Sequence, residues 1–182
     1  MILGLARIGD TASCAEPRGL VPSRPALRPA DILTTASCGR RAALDVCVAS
    51  PDGAGAGADA CASAALRKRY RYRGVLDELK AEGYDYLPLV WTSWGRPGPE
   101  AQSTLRTLAA SAARRLGLAD GVALERQAAS LIGGQVWRRA AAMVLSCLPS
   151  VGDEAPDLMA AAGLIGSQDE DYADDEFECP DQ

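Results

Sequence analysis

The sequence predicts an α/β (α+β) domain, a small mixed central sheet flanked by helices. Two short runs are of strand length, residues 31–35 (Asp-Ile-Leu-Thr-Thr), rich in β-branched residues, and 42–50 (Ala-Ala-Leu-Asp-Val-Cys-Val-Ala-Ser), mostly apolar. The polar Ser37-Cys38-Gly39-Arg40-Arg41 separates them, the pattern of a tight antiparallel hairpin. A third apolar run of strand length, residues 86–93, stands alone between stretches whose apolar residues recur at helical spacing. The predicted order is β-β-α-β-α-α.

Residues 1–27 carry Pro17, Pro22, Pro25 and Gly19 with no sustained period, so an irregular N-terminal arm is expected there. The domain proper is expected over residues 28–149. Pro51-Asp52-Gly53-Ala54-Gly55-Ala56-Gly57 ends the second strand and leads into a helix over about 58–81, with Gly83 placed to cap its C-terminus. Ala65, Lys68, Tyr72, Val75, Leu76 and Leu79 share one face of that helix, and Lys68 is the one charge in the stripe. Pro88 puts the third strand near a strand start or a sheet edge. Gly95-Arg96-Pro97-Gly98 then breaks the chain, and Pro99 suits the first turn of a helix. Its stripe is Ala101, Leu105, Leu108, Ala112 and Leu116, up to Gly117. Asp120 caps a last helix running toward Cys147, with Gly133-Gly134 as a candidate bend.

The formal charge of −5 conceals a division. All 19 Lys and Arg precede residue 150 beside 13 of the 24 acids, so the body carries a net +6 and the remainder of the chain is acidic. A basic body in which 17 of those residues are Arg favours polyanionic partners, because the guanidinium fork grips phosphate bidentately; the same Arg and Ala enrichment also follows from GC-rich coding. Residues 150–182 include Asp169-Glu-Asp-Tyr-Ala-Asp-Asp-Glu and have too little to bury to offset ordering entropy, so a disordered acidic tail is expected. With six cysteines, no CxxC pair and no His, a mixed zinc site is excluded. The apolar residues 1–8 are too short for a membrane span and lack the basic start of a secretion signal. An intracellular location, the nucleus included, is expected.

The chemistry-bearing residues are sparse. Asp31 and Asp45 lie at the start of one strand and within the next, where a hairpin can set their carboxylates side by side. Hard oxygen donors of this kind suit magnesium or manganese, which neutralises a phosphodiester and lowers the pKa of an attacking water. Lys68, on the inward face of the following helix, is placed to stabilise developing negative charge, and Tyr72 follows one turn later. Each residue also has an ordinary structural use: Asp caps turns, Lys snorkels, and Tyr among Val and Leu fills core.

Taken in order, Arg28-Pro-Ala-Asp31, Leu44-Asp45-Val46-Cys47-Val48-Ala49-Ser50-Pro51, Lys68 with Tyr72, and Tyr86-Leu-Pro-Leu-Val-Trp with Gly95 resemble the restriction-enzyme-like PD-(D/E)XK endonuclease fold. The closest likeness is to the copy at the C-terminal end of reverse-transcriptase polyproteins of non-long-terminal-repeat retroelements, and it covers about residues 16–148. The resemblance implies Asp31 and Asp45 as metal-binding acids, magnesium or manganese as cofactor, DNA as substrate and a strand-nicking role. Where the motif has lysine two residues after its second acid, this chain has Cys47, so the resemblance requires Lys68 to deliver the ammonium from the helix. Retroelement versions are similar in displacing that lysine. With no polymerase palm or zinc knuckle alongside, the chain resembles a detached C-terminal fragment.

Three other readings compete. A non-catalytic nucleic-acid-binding domain would use Arg67, Arg69, Arg71 and Arg73 on the helix, with Arg28 beside the first acid, to contact phosphates. Gly53-Ala-Gly-Ala-Gly57 follows a strand and precedes a helix as phosphate loops do, but it lacks their spacing and their Gly-Lys-Ser/Thr ending. An interaction module would anchor partners through Trp91, Trp94 and Trp137.

Overall fold

The computed structural model describes residues 1–37, 39–50 and 59–146. The chain divides into two compact units, Met1–Trp137 and Arg138–Gln182. The described residues hold four helices and four strands in the order α1 (Ile2–Gly9), β1 (Cys14–Ala15), β2 (Ile32–Thr34), β3 (Arg41–Ala49), α2 (Ala60–Ala81), β4 (Tyr84–Thr92), α3 (Pro99–Leu116) and α4 (Val122–Ser146). This is the mixed α/β class that the sequence predicts. The glycine-rich residues 53–57 and the acidic residues 150–182 lie outside the described residues.

One mixed sheet runs β1-β2-β3-β4. The expected hairpin is there: β2 pairs antiparallel to β3 with Ile32 opposite Leu44. After the α2 crossover, β4 pairs parallel to β3 with Asp45 opposite Pro88, and Pro88 is tolerated because β4 is an edge strand. Alternation along β3 divides the core. Ala42 and Leu44 pack with α1 and α3, in a cluster with Leu89, Trp91, Leu105 and Leu108. Ala43 faces α2, packed with Val75 and Leu79, and Ala49 faces the start of the same helix at Ala60, Cys61 and Ala64.

Helix ends follow their local chemistry. The Asp59 carboxylate accepts from the N–H groups of Cys61 and Ala62 at 2.9 and 3.1 Å, satisfying two orphan donors at the start of α2. Gly83 (φ +84) and Gly117 (φ +70) take the left-handed conformation that ends α2 and α3. Asp120 accepts from Val122 N–H at 2.9 Å before α4.

One expectation needs correction. Residues 1–27 are not an irregular arm: α1 buries Ile2, Leu5 and Ala6 in the main core, β1 pairs with β2, and Leu20 and Val21 are buried against α2. Ser23 donates both its N–H and its hydroxyl to Glu78, tying this segment down. The prolines break periodicity without preventing burial. Gly133 and Gly134, the candidate bend, lie within α4, which is a single helical element. The compact unit accordingly begins at Met1 rather than at residue 28.

Candidate active site

The site is built on the α2-facing side of the sheet around Asp45. That residue is 5% exposed, and carboxylates are rarely buried without partners. Both oxygens are engaged. Lys68 Nζ donates to Oδ1 at 2.8 Å, and the Tyr86 hydroxyl donates to Oδ2 at 2.6 Å. Lys68 reaches across because it lies on the same α2 stripe as Val75 and Leu79, which pack onto the sheet; Tyr86 reaches because its β4 position alternates onto the same face.

Asp31 lies immediately before β2. The antiparallel register that sets Ile32 opposite Leu44 carries on to place Asp31 beside Asp45. Its N–H donates to Leu44 O at 2.8 Å, and its Oδ2 accepts from Val46 N–H at 2.6 Å. The side chain thus continues the ladder just before β2 begins, accepting from a β3 N–H. The structural use of Asp31 and the proposed chemical one coincide on this carboxylate.

Electrostatics tie the group together. Desolvation pushes the Asp31 carboxyl up and the charge of Asp45 adds to it, against the Val46 N–H bond and Lys68. Burial works against the Lys68 charge, yet its hydrogen bond to Asp45 and the attraction between them outweigh it, so the ammonium is held above its ordinary value. Tyr86 is pushed strongly up, first by desolvation and then by donating to Asp45, and so stays a neutral donor. Cys47, where the resemblance would put lysine, is also raised by burial, with Lys68 opposing, which favours the neutral thiol.

The structure therefore brings together Asp31, Asp45 and Lys68. Tyr72 sits alongside, its ring edge-on to Tyr86 at 5.6 Å between centroids, but among the described residues its hydroxyl makes no hydrogen bond. Its neighbour Tyr86, which sequence reasoning passed over, holds the carboxylate instead. The one available signal was period-2 alternation from Tyr84 through Tyr86 to Pro88, hidden inside an apolar run.

The candidate phosphate-binding arginines are less uniform than their spacing suggests. Arg67, Arg71 and Arg73 are exposed along the outer side of α2, with Arg73 stacked 4.2 Å over the Tyr70 ring and Arg71 5.7 Å from that of Tyr72. Arg28 is exposed and paired with Glu16 at 2.9 Å. Arg69 is bound to Glu100 in the first turn of α3. Since α2 and α3 cover opposite faces, that ion pair spans the open edge of β4, a structural task distinct from binding phosphate.

Two carboxylates fit a magnesium-type ion, which is commonly held by one or two of them with water and substrate phosphate completing the shell. Asp31 keeps one oxygen without a hydrogen bond among the described residues, and each oxygen of Asp45 keeps a further lone pair. Among the described residues no group of three or more His, Cys, Asp or Glu is placed to hold a metal, so any ion here would depend on substrate oxygens.

Fold and site together define a mixed α/β protein with a buried Asp–Lys–Tyr centre beside a second carboxylate. No protein-family model, curated protein or solved structure matches the chain. Among the described residues no helix is long and apolar enough to cross a membrane.

Proposed function

We propose that the chain is a divalent-metal-dependent DNA endonuclease domain of the retroelement PD-(D/E)XK kind, acting inside the cell and in the nucleus. The observation that carries this reading is the 2.8 Å approach of Lys68 Nζ to the buried Asp45 carboxylate, with Asp31 next to it just before the neighbouring strand. Lysine is absent two residues after Asp45, and the contact of the α2 ammonium with Asp45 supports Lys68 taking that part.

In this reading Asp31 and Asp45 would hold magnesium or manganese, which would neutralise the scissile phosphate and acidify a water. Tyr86 fixes the rotamer of Asp45 through Oδ2. Lys68 presents a charge, held protonated by Asp45, to the oxygens on which negative charge develops. Tyr72 packs against Tyr86 and keeps that ring in place.

Nicking of supercoiled plasmid in magnesium tests the proposal. The wild type is expected to cut, and Asp45→Ala and Lys68→Ala are each expected to lower the rate by at least about a hundredfold. A wild type that binds DNA but leaves it uncut in both magnesium and manganese rules the enzyme out. The second reading, a non-catalytic nucleic-acid-binding domain, draws support from the exposed Arg67, Arg71 and Arg73 beside Tyr70. It requires salt-sensitive DNA affinity that Asp45→Ala leaves unchanged.

A further inference from the structure

The loop after β4 turns sharply and is held rigidly. Gly95 (φ +78) donates its N–H to Thr92 O at 2.8 Å, Thr92 N–H donates to Arg96 O at 2.8 Å, and Arg96 N–H donates to Thr92 Oγ1 at 3.1 Å. The turn rests directly on α4 through a contact between two glycines. A Cβ added at Gly95 would lie 2.6 Å from Gly133 O, and one at Gly133 would lie 3.1 Å from Gly95 O.

That contact places two tryptophans together. Trp94 precedes Gly95, and Trp137 lies four residues after Gly133 on the same face of α4. Their ring centroids are 5.3 Å apart with planes tilted by 34°. The pair nevertheless stays 62% and 47% exposed, whereas Trp91 in the core is 1% exposed. Two indoles pinned against each other and left in water are not packing residues; a patch of this kind marks a binding surface.

Position and charge indicate the ligand. Ser93 N–H donates to Ala49 O at 2.9 Å, so the loop sits at the carboxyl ends of the parallel strands β3 and β4. Asp45 lies four residues before Ala49, about 13 Å along the strand. That is roughly the rise of four nucleotides in one DNA strand, at about 3.4 Å each. The exposed Arg96 stands two residues from Trp94 and offers a fork for a phosphate.

We propose that Trp94 and Trp137 form a stacking platform for unpaired nucleobases, with Arg96 on an adjacent phosphate, so that the preferred substrate carries a single-stranded segment beside the cleavage position. The proposal rests on the reading above for its nucleic-acid partner and deepens it to a substrate class. Stacking on an exposed indole accepts every base, because each presents a π-face.

The test uses the full wild-type chain in EDTA, where no metal-dependent cleavage interferes, titrated with labelled oligothymidylate of about 12 nucleotides and with a blunt duplex of equal length. The single strand is expected to bind more tightly than the duplex and to quench tryptophan emission. Trp94→Ala and Trp137→Ala should each weaken single-strand binding by about tenfold while barely changing duplex binding, and Trp94→Phe should restore most of the loss. Single-strand affinities within about twofold of wild type in the folded alanine variants, or no quenching of the wild type should those variants fail to fold, overturn the proposal. So does light scattering that finds a wild-type dimer and a Trp94→Ala monomer, since the pair is then an interface between copies. Plasmid left uncut while oligothymidylate still binds through the indoles sinks the nuclease reading alone; cutting without any tryptophan dependence sinks this one alone.

Discussion

The Lys68 ammonium stands 2.8 Å from Oδ1 of Asp45, a carboxylate that is only 5% exposed. A buried ion pair adds little over an apolar pair of similar volume, but removing one partner leaves a stranded charge. Lys68→Met is therefore expected to cost about 3 kcal/mol in urea unfolding, the low end for a buried pair because the lysine keeps some access to water. The double variant Asp45→Leu/Lys68→Met should regain most of that stability while remaining unable to nick DNA. A Lys68→Met midpoint indistinguishable from wild type would mean the pair is solvated and Asp45 is not held by it.

Asp31 and Lys68 both make stability fall as pH rises, in different pH ranges. The folded Asp31 carboxyl is raised above the ordinary value of 3.8, chiefly by desolvation and then by Asp45, so the folded chain holds this proton more tightly than the unfolded one. Stability from this group is greatest below pH 3.8 and falls as pH rises through the higher folded value. Asp31→Asn keeps an acceptor for Val46 N–H and removes the charge, so it should be more stable than wild type at neutral pH, with the difference closing in acid. Lys68, raised above 10.5, contributes stability that is present below that value and lost as pH rises through its folded pKa. Lys68→Met should lack this alkaline limb. Unfolding midpoints across the pH range read both; an Asp31→Asn chain less stable at neutral pH would show that the Val46 bond needs a full carboxylate.

The hairpin, α2 and the Asp45–Lys68 meeting were legible because each leaves a periodic or punctuated mark. Lys68 stood out as the lone charge in an apolar stripe, and the stripe had to face the sheet. Helix α1 left no such mark: at eight residues, its buried Ile2, Leu5 and Ala6 span too few turns to establish a period. Strand β1 has two residues and exists only through its pairing with β2. Tyr86 was hidden for another reason, since a strand with residues packed on both faces reads as a continuous apolar run and conceals which side chains face the acid. The Arg69–Glu100 pair depends on how α3 enters beside the edge of β4, a tertiary relation that helical spacing does not encode.

Tyr86 and Tyr72 pack ring to ring, yet only Tyr86 donates to the carboxylate, at 2.6 Å from Oδ2. Tyr86→Phe removes a donor to a buried charge and is expected to cost about 1.5–3 kcal/mol, together with a large fall in nicking rate as Asp45 loses its fixed rotamer. Tyr72→Phe keeps the ring contact and should change stability by less than about 0.5 kcal/mol. A Tyr86→Phe chain as little affected as Tyr72→Phe would show that the hydroxyl does not secure Asp45.

Two glycines separate a conformational requirement from an incidental one. Gly95 sits at φ +78 with its backbone against Gly133, so Gly95→Ala meets both the left-handed penalty and a carbonyl 2.6 Å from the new Cβ. It should cost more than about 2 kcal/mol, the backbone penalty alone being about 1–2, and should separate Trp94 from Trp137. Gly74 is the contrary case, inside α2 with nothing within 4 Å of an added Cβ. Gly74→Ala should raise stability by about 0.5–1 kcal/mol through the entropy of the unfolded chain. Thermal unfolding read by tryptophan emission measures both changes in one experiment, and a Gly95→Ala chain that unfolds like wild type would mean the turn can leave α4 without consequence.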